Sequence, residues 1–382
     1  MIMKQVLHYL KRDVVLSAAL LLALVSSFLV PPDEAYLSYI DYRTLGILFC
    51  LMSVMAGFRQ LGLFRYIAEG MLKRVKSIPS LILILTMLCF FFSMLITNDV
   101  ALITFVPLTF TVLTLMGEEK KALLAIPVVV LQTIAANLGS MLTPIGNPQN
   151  LYLYTLSGLS LGQFLALMLP YTLLSFLLLS IWCLYLGLHL GKGKKRKLSL
   201  SMDNQTSLSG KGKELAFYLL LFLLCLLTVA HLMEWYLTFV ILLLLILFTR
   251  PALLKQVDYA LLLTFAGFFV FIGNMGRIPA FCDFLSAILQ EREVITAILA
   301  SQIISNVPAA LLLSGFTDEI SALIIGTNLG GLGTLIASMA SLISYKYIAA
   351  EMSEKKGPYF RYFTIGNGAF LLALILLFVL IK

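Results

Sequence analysis

Ser93-Met-Leu-Ile-Thr97-Asn98-Asp99-Val-Ala101 and Ser301-Gln-Ile-Ile-Ser305-Asn306-Val-Pro-Ala309 are two polar breaks of one design, each set between apolar arms. The first interrupts the apolar stretch 79–116, meeting at Thr97-Asn98-Asp99. The second interrupts 293–316, meeting at Ser305-Asn306-Val307-Pro308, and its arms are too short to span a bilayer alone. Non-helical backbone at membrane depth persists only where protein or an aqueous cavity satisfies its N–H and C=O groups. The pattern therefore predicts two re-entrant hairpins.

A second interruption follows each hairpin. Asn137-Leu-Gly139-Ser140-Met-Leu-Thr143-Pro144-Ile-Gly146-Asn147-Pro-Gln-Asn150 pairs with Asn328-Leu-Gly330-Gly331-Leu-Gly333-Thr334. Glycine and proline break the helical ladder there and free backbone carbonyls and amides for ions. Asn, Ser and Thr add neutral ligands. The polar and glycine positions match between halves: Ser93 with Ser301, Asn98 with Asn306, Asn137 with Asn328, Gly139 with Gly330, Thr143 with Thr334. An amphipathic stretch precedes each block, near 61–76 and 277–291. Inverted repeats with helices broken at the midplane are characteristic of secondary transporters.

Of 382 residues, 60% are hydrophobic and 12% charged, about half the charge of a soluble domain. That composition excludes soluble-enzyme and nucleic-acid-binding classes. The expected class is an all-α polytopic membrane protein without a nucleic-acid partner. No nucleophile–base pair or metal cluster is visible, so no enzyme and no cofactor are expected. The five cysteines are scattered and read as small buried side chains. Residues 1–30 resemble a signal peptide but lack a cleavage site and read as a retained first helix.

The charges set the topology. If both hairpins enter and leave on one side, nine crossings remain. The segments 1–13, 59–78, 117–121, 189–214, 250–258 and 346–361 then hold 23 Lys/Arg and 9 Asp/Glu, against 4 and 9 on the other side. The positive-inside rule places the N-terminus in the cytoplasm and the C-terminus outside. Residues 1–190 form a first repeat: spans 14–30 and 43–58, interfacial helix 61–76, hairpin 79–116, broken helix 122–155 and span 161–188. Residues 191–213 form a cytoplasmic linker with a Lys-Lys-Arg-Lys run. Residues 214–382 form the second repeat: spans 215–231, 235–249 and 256–273, interfacial helix 277–291, hairpin 293–316, broken helix 321–345 and span 363–381.

Asp99 is the single acid flanked by long apolar arms. Its carboxylate needs a cation, water or a proton. Two readings stand: coupling of proton or cation movement, or a helix N-cap for the second arm. No Lys or Arg falls within the expected core, so an anionic solute would rest on helix N-termini, amides, hydroxyls and a co-bound cation.

These motifs resemble the ion transporter superfamily, which includes citrate-transporter-like permeases, divalent anion/sodium symporters, arsenite permeases and a class of sodium/proton antiporters. The nearest resemblance is to small bacterial inner-membrane permeases. The resemblance implies a homodimer working by an elevator mechanism. It also implies Na⁺ sites built from Ser93, Thr97, Asn98, Asn137 and Gly139 in one half and from Ser301, Ser305, Asn306, Asn328 and Gly330 in the other. The solute, a small anion such as a di- or tricarboxylate, would touch Thr97, Asn98, Asp99, Thr143, Pro144, Asn147, Ser305, Asn306 and Thr334. The symporters carry Thr at the third tip position, where this chain has Asp99 and Val307. The expectation is Na⁺- or H⁺-coupled transport across a bacterial cytoplasmic membrane. Sodium/proton antiport and metalloid efflux are the alternatives.

Overall fold

A computed structural model describes residues 14–190 and 208–381. The basic run of the linker and the first thirteen residues lie outside the described residues. Every regular element among them is helical. The first group is α1 (Val14–Leu29), a short α2 (Ala35–Tyr39), α3 (Tyr42–Leu61) and the amphipathic α4 (Leu63–Leu72). Asp41 caps α3 by accepting from the Thr44 amide at 3.0 Å. Gly62, at φ +78°, ends α3 and turns the chain into α4, a left-handed position that suits glycine.

Next come α5 (Ile78–Ser93) and α6 (Asn98–Leu115), separated by Met94–Thr97, then α7 (Glu118–Ser140), a 3₁₀ turn over Pro144–Gly146, α8 (Pro148–Ser157) and α9 (Leu161–Leu190). A capping box between Ser77 and Ser80 starts α5. The remaining helices are α10 (Gly212–Val229), α11 (Trp235–Thr249), α12 (Tyr259–Met275), α13 (Pro279–Leu289), α14 (Glu293–Ile304), α15 (Asn306–Ser314), α16 (Ile320–Gly330), α17 (Met339–Glu351) and α18 (Lys356–Ile381). The amphipathic α13 leaves α12 at 106°.

Six helices are long and apolar enough to cross a bilayer, seven if α12 and α13 are counted as one span. The sequence reading counts nine crossings. Five of the six are expected crossings and the sixth is α6, expected as a hairpin arm but at 18 residues long enough to span. The four expected crossings that fall short are α1, α11 and α12, at 16, 15 and 17 residues, and the broken pair α16/α17, all shorter than the roughly 20 residues of a straight span.

The expected breaks exist, shifted along the chain. The first covers Met94–Thr97, so Asn98 and Asp99 already belong to the first turn of α6. The second is the single residue Ser305, at φ +76°, and Asn306 opens α15. The arms α5 and α6 pack on each other and both pack on α7; α14 and α15 pack on each other and both on α16. The two halves also interlock: α6 packs on α17, and α15 on α8. This places α7 at the centre, with 83% of its most apolar stretch buried, and leaves α9, α10 and α18 at the periphery, at 33%, 28% and 22%.

Lipid supplies no hydrophobic drive between helices, so close approach at small residues holds such a core. A Cβ on Gly139 of α7 would lie 2.0 Å from the Phe90 carbonyl oxygen and 2.6 Å from Ser93 Oγ of α5. A Cβ on Gly330 of α16 would lie 2.6 Å from Ser301 Oγ of α14. The same helix-to-arm contact is made in each half. Gly139→Ala is therefore expected to destabilise the protein by about 1–3 kcal/mol through overpacking. Gly70→Ala, whose added Cβ meets nothing within 4 Å, should leave the melting temperature unchanged or raised. Thermal unfolding of the two variants in one detergent checks the contrast; equal melting temperatures would refute the close packing.

Candidate functional site

The interrupted helices bring their polar residues to one place. Asn98 Nδ2 donates to Asn137 Oδ1 at 3.0 Å, and Asn98 Oδ1 accepts the Asp99 amide at 2.9 Å. Asn137 Oδ1 also accepts from Ser338 Oγ at 2.9 Å, while Asn137 Nδ2 donates to the Gly331 carbonyl at 3.3 Å. A first-half amide thereby satisfies the broken backbone of the second half. The return link is Asn328 Nδ2 donating to Asn150 Oδ1 at 2.6 Å. Asn150 Nδ2 in turn faces the Ser140 and Thr143 carbonyls, freed where α7 stops. Asn147 Nδ2 donates to Ser140 Oγ at 2.7 Å.

The two halves fasten their breaks alike. Thr143 Oγ1 donates to the Met94 carbonyl at 2.5 Å, and Thr334 Oγ1 to the Gln302 carbonyl at 3.0 Å. Met94 and Gln302 occupy matching positions after Ser93 and Ser301. Gln302, absent from the expected site, does more: its Nε2 lies 3.0 Å from both the Gly330 and Leu332 carbonyls, and its Oε1 accepts the Thr334 amide. Ser305 Oγ and the Asn306 amide both face the Ala337 carbonyl, at 3.4 and 3.0 Å. Ser93 and Ser301 donate to carbonyls of their own helices and keep lone pairs for an ion.

A cavity of about 350 Å³ adjoins the first half of this network. Thr97, Asp99, Asn147 and Pro148 line one wall; Leu48, Met52, Met55 and Arg59 of α3 line the other; Gln256 and Asp258 stand at the start of α12. Two helices, α6 and α8, begin at the cavity, at Thr97 and Asn147. Neither N-cap residue bonds its helix through its side chain. The Asp99 amide is taken by Asn98 and Pro148 has none to offer, so the positive dipole ends and the remaining first-turn amides are left for a ligand. Asn98 and Asn137, bonded to each other, do not line the cavity. Pro144 is buried in the 3₁₀ turn. Thr334 is exposed, and Ser305 and Asn306 are buried beside Ala337; none of these three lines the cavity. Of the expected solute residues, Thr97, Asp99 and Asn147 line the cavity, whereas Asn98, Thr143 and Pro144 of the same half do not.

Asp99 requires a correction. The N-cap of α6 is Thr97, and Asp99 does not cap it; Asp99 Oδ1 is buried with no hydrogen-bond partner. Asn328 Oδ1 and both polar atoms of Gln149 are likewise buried and unpartnered. The cation beside the cavity is an exposed one, outside the buried core. Arg59, two residues from Leu61 at the end of α3, reaches the cavity, and its Nη2 lies 3.4 Å from Gln256 Oε1. Asp258 caps α12 through the Leu261 amide. The sequence separation of Arg59 and Gln256 hid their meeting.

Residues 1–320 match the citrate transporter family. An uncharacterised transporter of Methanocaldococcus jannaschii is 34% identical over 95% of this chain and 94% of its own length. An inner membrane protein of Escherichia coli is 31% identical over 89% of both chains. A silicon efflux transporter of Oryza sativa subsp. japonica is 34% identical over 41% of this chain and 31% of its own. With its apolar helices, the chain is a multi-pass membrane protein and a transporter rather than an enzyme, and it belongs to the citrate transporter family.

Proposed function

We propose that the protein is a secondary active transporter of a bacterial cytoplasmic membrane that moves a small anion together with H⁺ or Na⁺. The observation that carries this reading is the cavity where α6 and α8 begin, walled on one side by Asp99 and on the other by Arg59. Two helix N-termini and a guanidinium attract an anion. Asp99, half-buried beside them, repels it. A proton or Na⁺ at Asp99 removes that repulsion, so solute and cation occupy the cavity together. This mutual dependence is the physical basis of symport.

In this reading α5/α6 and α14/α15 are re-entrant hairpins and, with α7/α8 and α16/α17, form the moving body of an elevator. The remaining membrane helices form a dimerising frame, joined to it through α4 and α13. The nine-crossing topology with the N-terminus in the cytoplasm places Arg59 and Asp258 on the cytoplasmic side, which makes this an inward-facing arrangement. The paired contacts Gly139–Ser93 and Gly330–Ser301 support two matched Na⁺ sites, with Thr97 and Asn98 completing the first and Ser305, Asn306 and Asn328 the second. Silicon export is a second reading, favoured by the rice relative and by a cavity carboxylate, which suits an uncharged solute better than a polyanion.

A thermal-shift panel of citrate, succinate, phosphate, silicate and arsenite, each with and without Na⁺ at pH 5.5 and 7.5, tests the proposal, because a ligand stabilises the folded form according to its occupancy. Stabilisation by one anion that depends on Na⁺ or acid is expected; silicate as the sole stabiliser would favour the second reading. Arg59→Gln should weaken the anion about tenfold or more, matching the loss of a charged hydrogen bond of roughly 1.5–3 kcal/mol. Asp99→Asn should bind without the pH dependence of the parent. An unchanged pH profile would remove Asp99 from coupling. Asn98→Ala and Asn306→Ala should each abolish the Na⁺-dependent part while the protein stays folded; retention in both would refute the two Na⁺ sites.

A further inference from the structure

Arg43 and Arg59 lie at opposite ends of α3, about 24 Å apart by the helical rise. The cavity reaches Arg59 and extends no further toward Arg43 than Leu48. Beyond it α8 closes on its surroundings. Tyr152 packs against Phe265 and Phe269 of α12 and bonds Ser314 of α15 at 2.9 Å. Two residues on, and on another face of α8, Tyr154 meets His231 with ring centroids 5.2 Å apart and the rings tilted by 45°. Arg43 Nη2 is hydrogen-bonded to His231 Nδ1. Three elements thus meet at one imidazole: α3, α8 and the α10–α11 connection.

The backbone marks His231 as well. It sits at φ +60°, the residue that closes α10. Its amide bonds the Thr228 carbonyl at 3.1 Å, and the Leu232 amide bonds the Leu227 carbonyl at 2.9 Å. This is a Schellman ending, whose left-handed position usually holds glycine. A side chain kept at such a position suggests a role for that side chain. Beside it, Arg43 Nε and the Tyr154 hydroxyl are buried without partners, so the contact is not fully satisfied and has polar groups ready to re-pair when it opens.

We infer that Arg43, His231 and Tyr154 form a latch that holds the end of the cavity remote from Arg59 closed, and that a proton taken up by His231 from the solvent at that end releases it. As acceptor from Arg43, the imidazole must be neutral at Nδ1. Protonation removes the acceptor and sets two cations side by side. Arg43 on α3 and Tyr154 on α8 are the titratable groups facing the ring from packed elements. Glu234 stands three residues on at the start of α11, and Asp41 is engaged by Thr44; among the described residues no acid is bonded to the imidazole.

Burial and the Arg43 charge hold His231 below its ordinary value, which is near 6.5. A lowered value means that the latch is at full strength above about pH 6.5 and is lost as pH falls through the lowered value. Its consequence for transport rests on the reading that α8 moves against α3; the latch itself does not.

Hydrogen exchange of the purified full chain, corrected for the chemical rate, reads the latch without any solute. Protection of amides 148–157 and 226–234 should be constant above neutrality, then fall by up to about tenfold per pH unit between the imidazole's ordinary value and its lowered one, and level off below that, as one linked proton requires. Protection in α5–α7 should not change. His231→Asn tolerates the left-handed backbone and cannot titrate, and should give a flat profile. Arg43→Gln removes the repelling charge but leaves the burial, and should make the profile shallower than the parent's. A parent profile superimposable on that of His231→Asn, or opening on the alkaline side, would overturn the latch. Neither result touches the anion-and-cation panel, which judges the transport reading separately.

Discussion

Backbone that leaves the helical ladder inside hydrocarbon must find partners for every freed N–H and C=O. In this protein the partners are mostly asparagine, glutamine and threonine side chains drawn from the other interrupted segments. Asn137 serves Gly331, Asn150 serves Ser140 and Thr143, Gln302 serves Gly330 and Leu332. Each break is stable because another break lies beside it. The Asn137–Gly331 and Asn328–Asn150 links couple the halves, so neither half can complete its own polar core. A buried polar network of this kind is stabilising only when nearly every member is satisfied. That makes its few unpartnered atoms the natural places for a ligand.

Those atoms occur in both halves, at Asp99 and Gln149 in the first and Asn328 in the second, but their access to the cavity differs. Asp99 borders the cavity, whereas the second half closes on itself through Ser305, Asn306 and Ala337. Sequence symmetry therefore does not extend to accessibility. In the transport cycle proposed above, such asymmetry would be one state, open past Arg59 and closed at the other end by aromatic rings and the Arg43–His231 pair.

The all-helical class and the neighbourhood of each break were legible in the sequence, because a polar residue inside a long apolar run is conspicuous and the lipid limits how backbone can break. Ser93, Thr97, Asn98, Asn137 and Asn147 were found that way and lie together. Boundaries were less legible: the N-cap of α6 falls at Thr97 and not at Asp99, since a cap is decided by local dihedral angles and not by residue type alone. Arg59, Gln256 and Asp258 escaped notice because each resembles an ordinary charged or polar helix end, and only folding brings α3 and α12 to one cavity. Gln302 sat within the matched repeat, opposite Met94, but its bonds run to carbonyls 28 and 30 residues away that no pattern of polarity exposes. Thr143 and Thr334 are alike in sequence and in geometry; both fasten a break rather than face the cavity.

The account turns on whether the space beside Asp99 is an aqueous chamber reached past Arg59. The direct measurement is the reactivity of a single cysteine at Val100→Cys, in a chain whose five native cysteines are replaced by alanine, toward a membrane-impermeant thiol reagent added to either face of sealed vesicles. The account predicts reaction from the face that carries Arg59 and protection from the other. A cysteine unreactive from both faces would mean that the interrupted helices are closed packing and not a path for a solute.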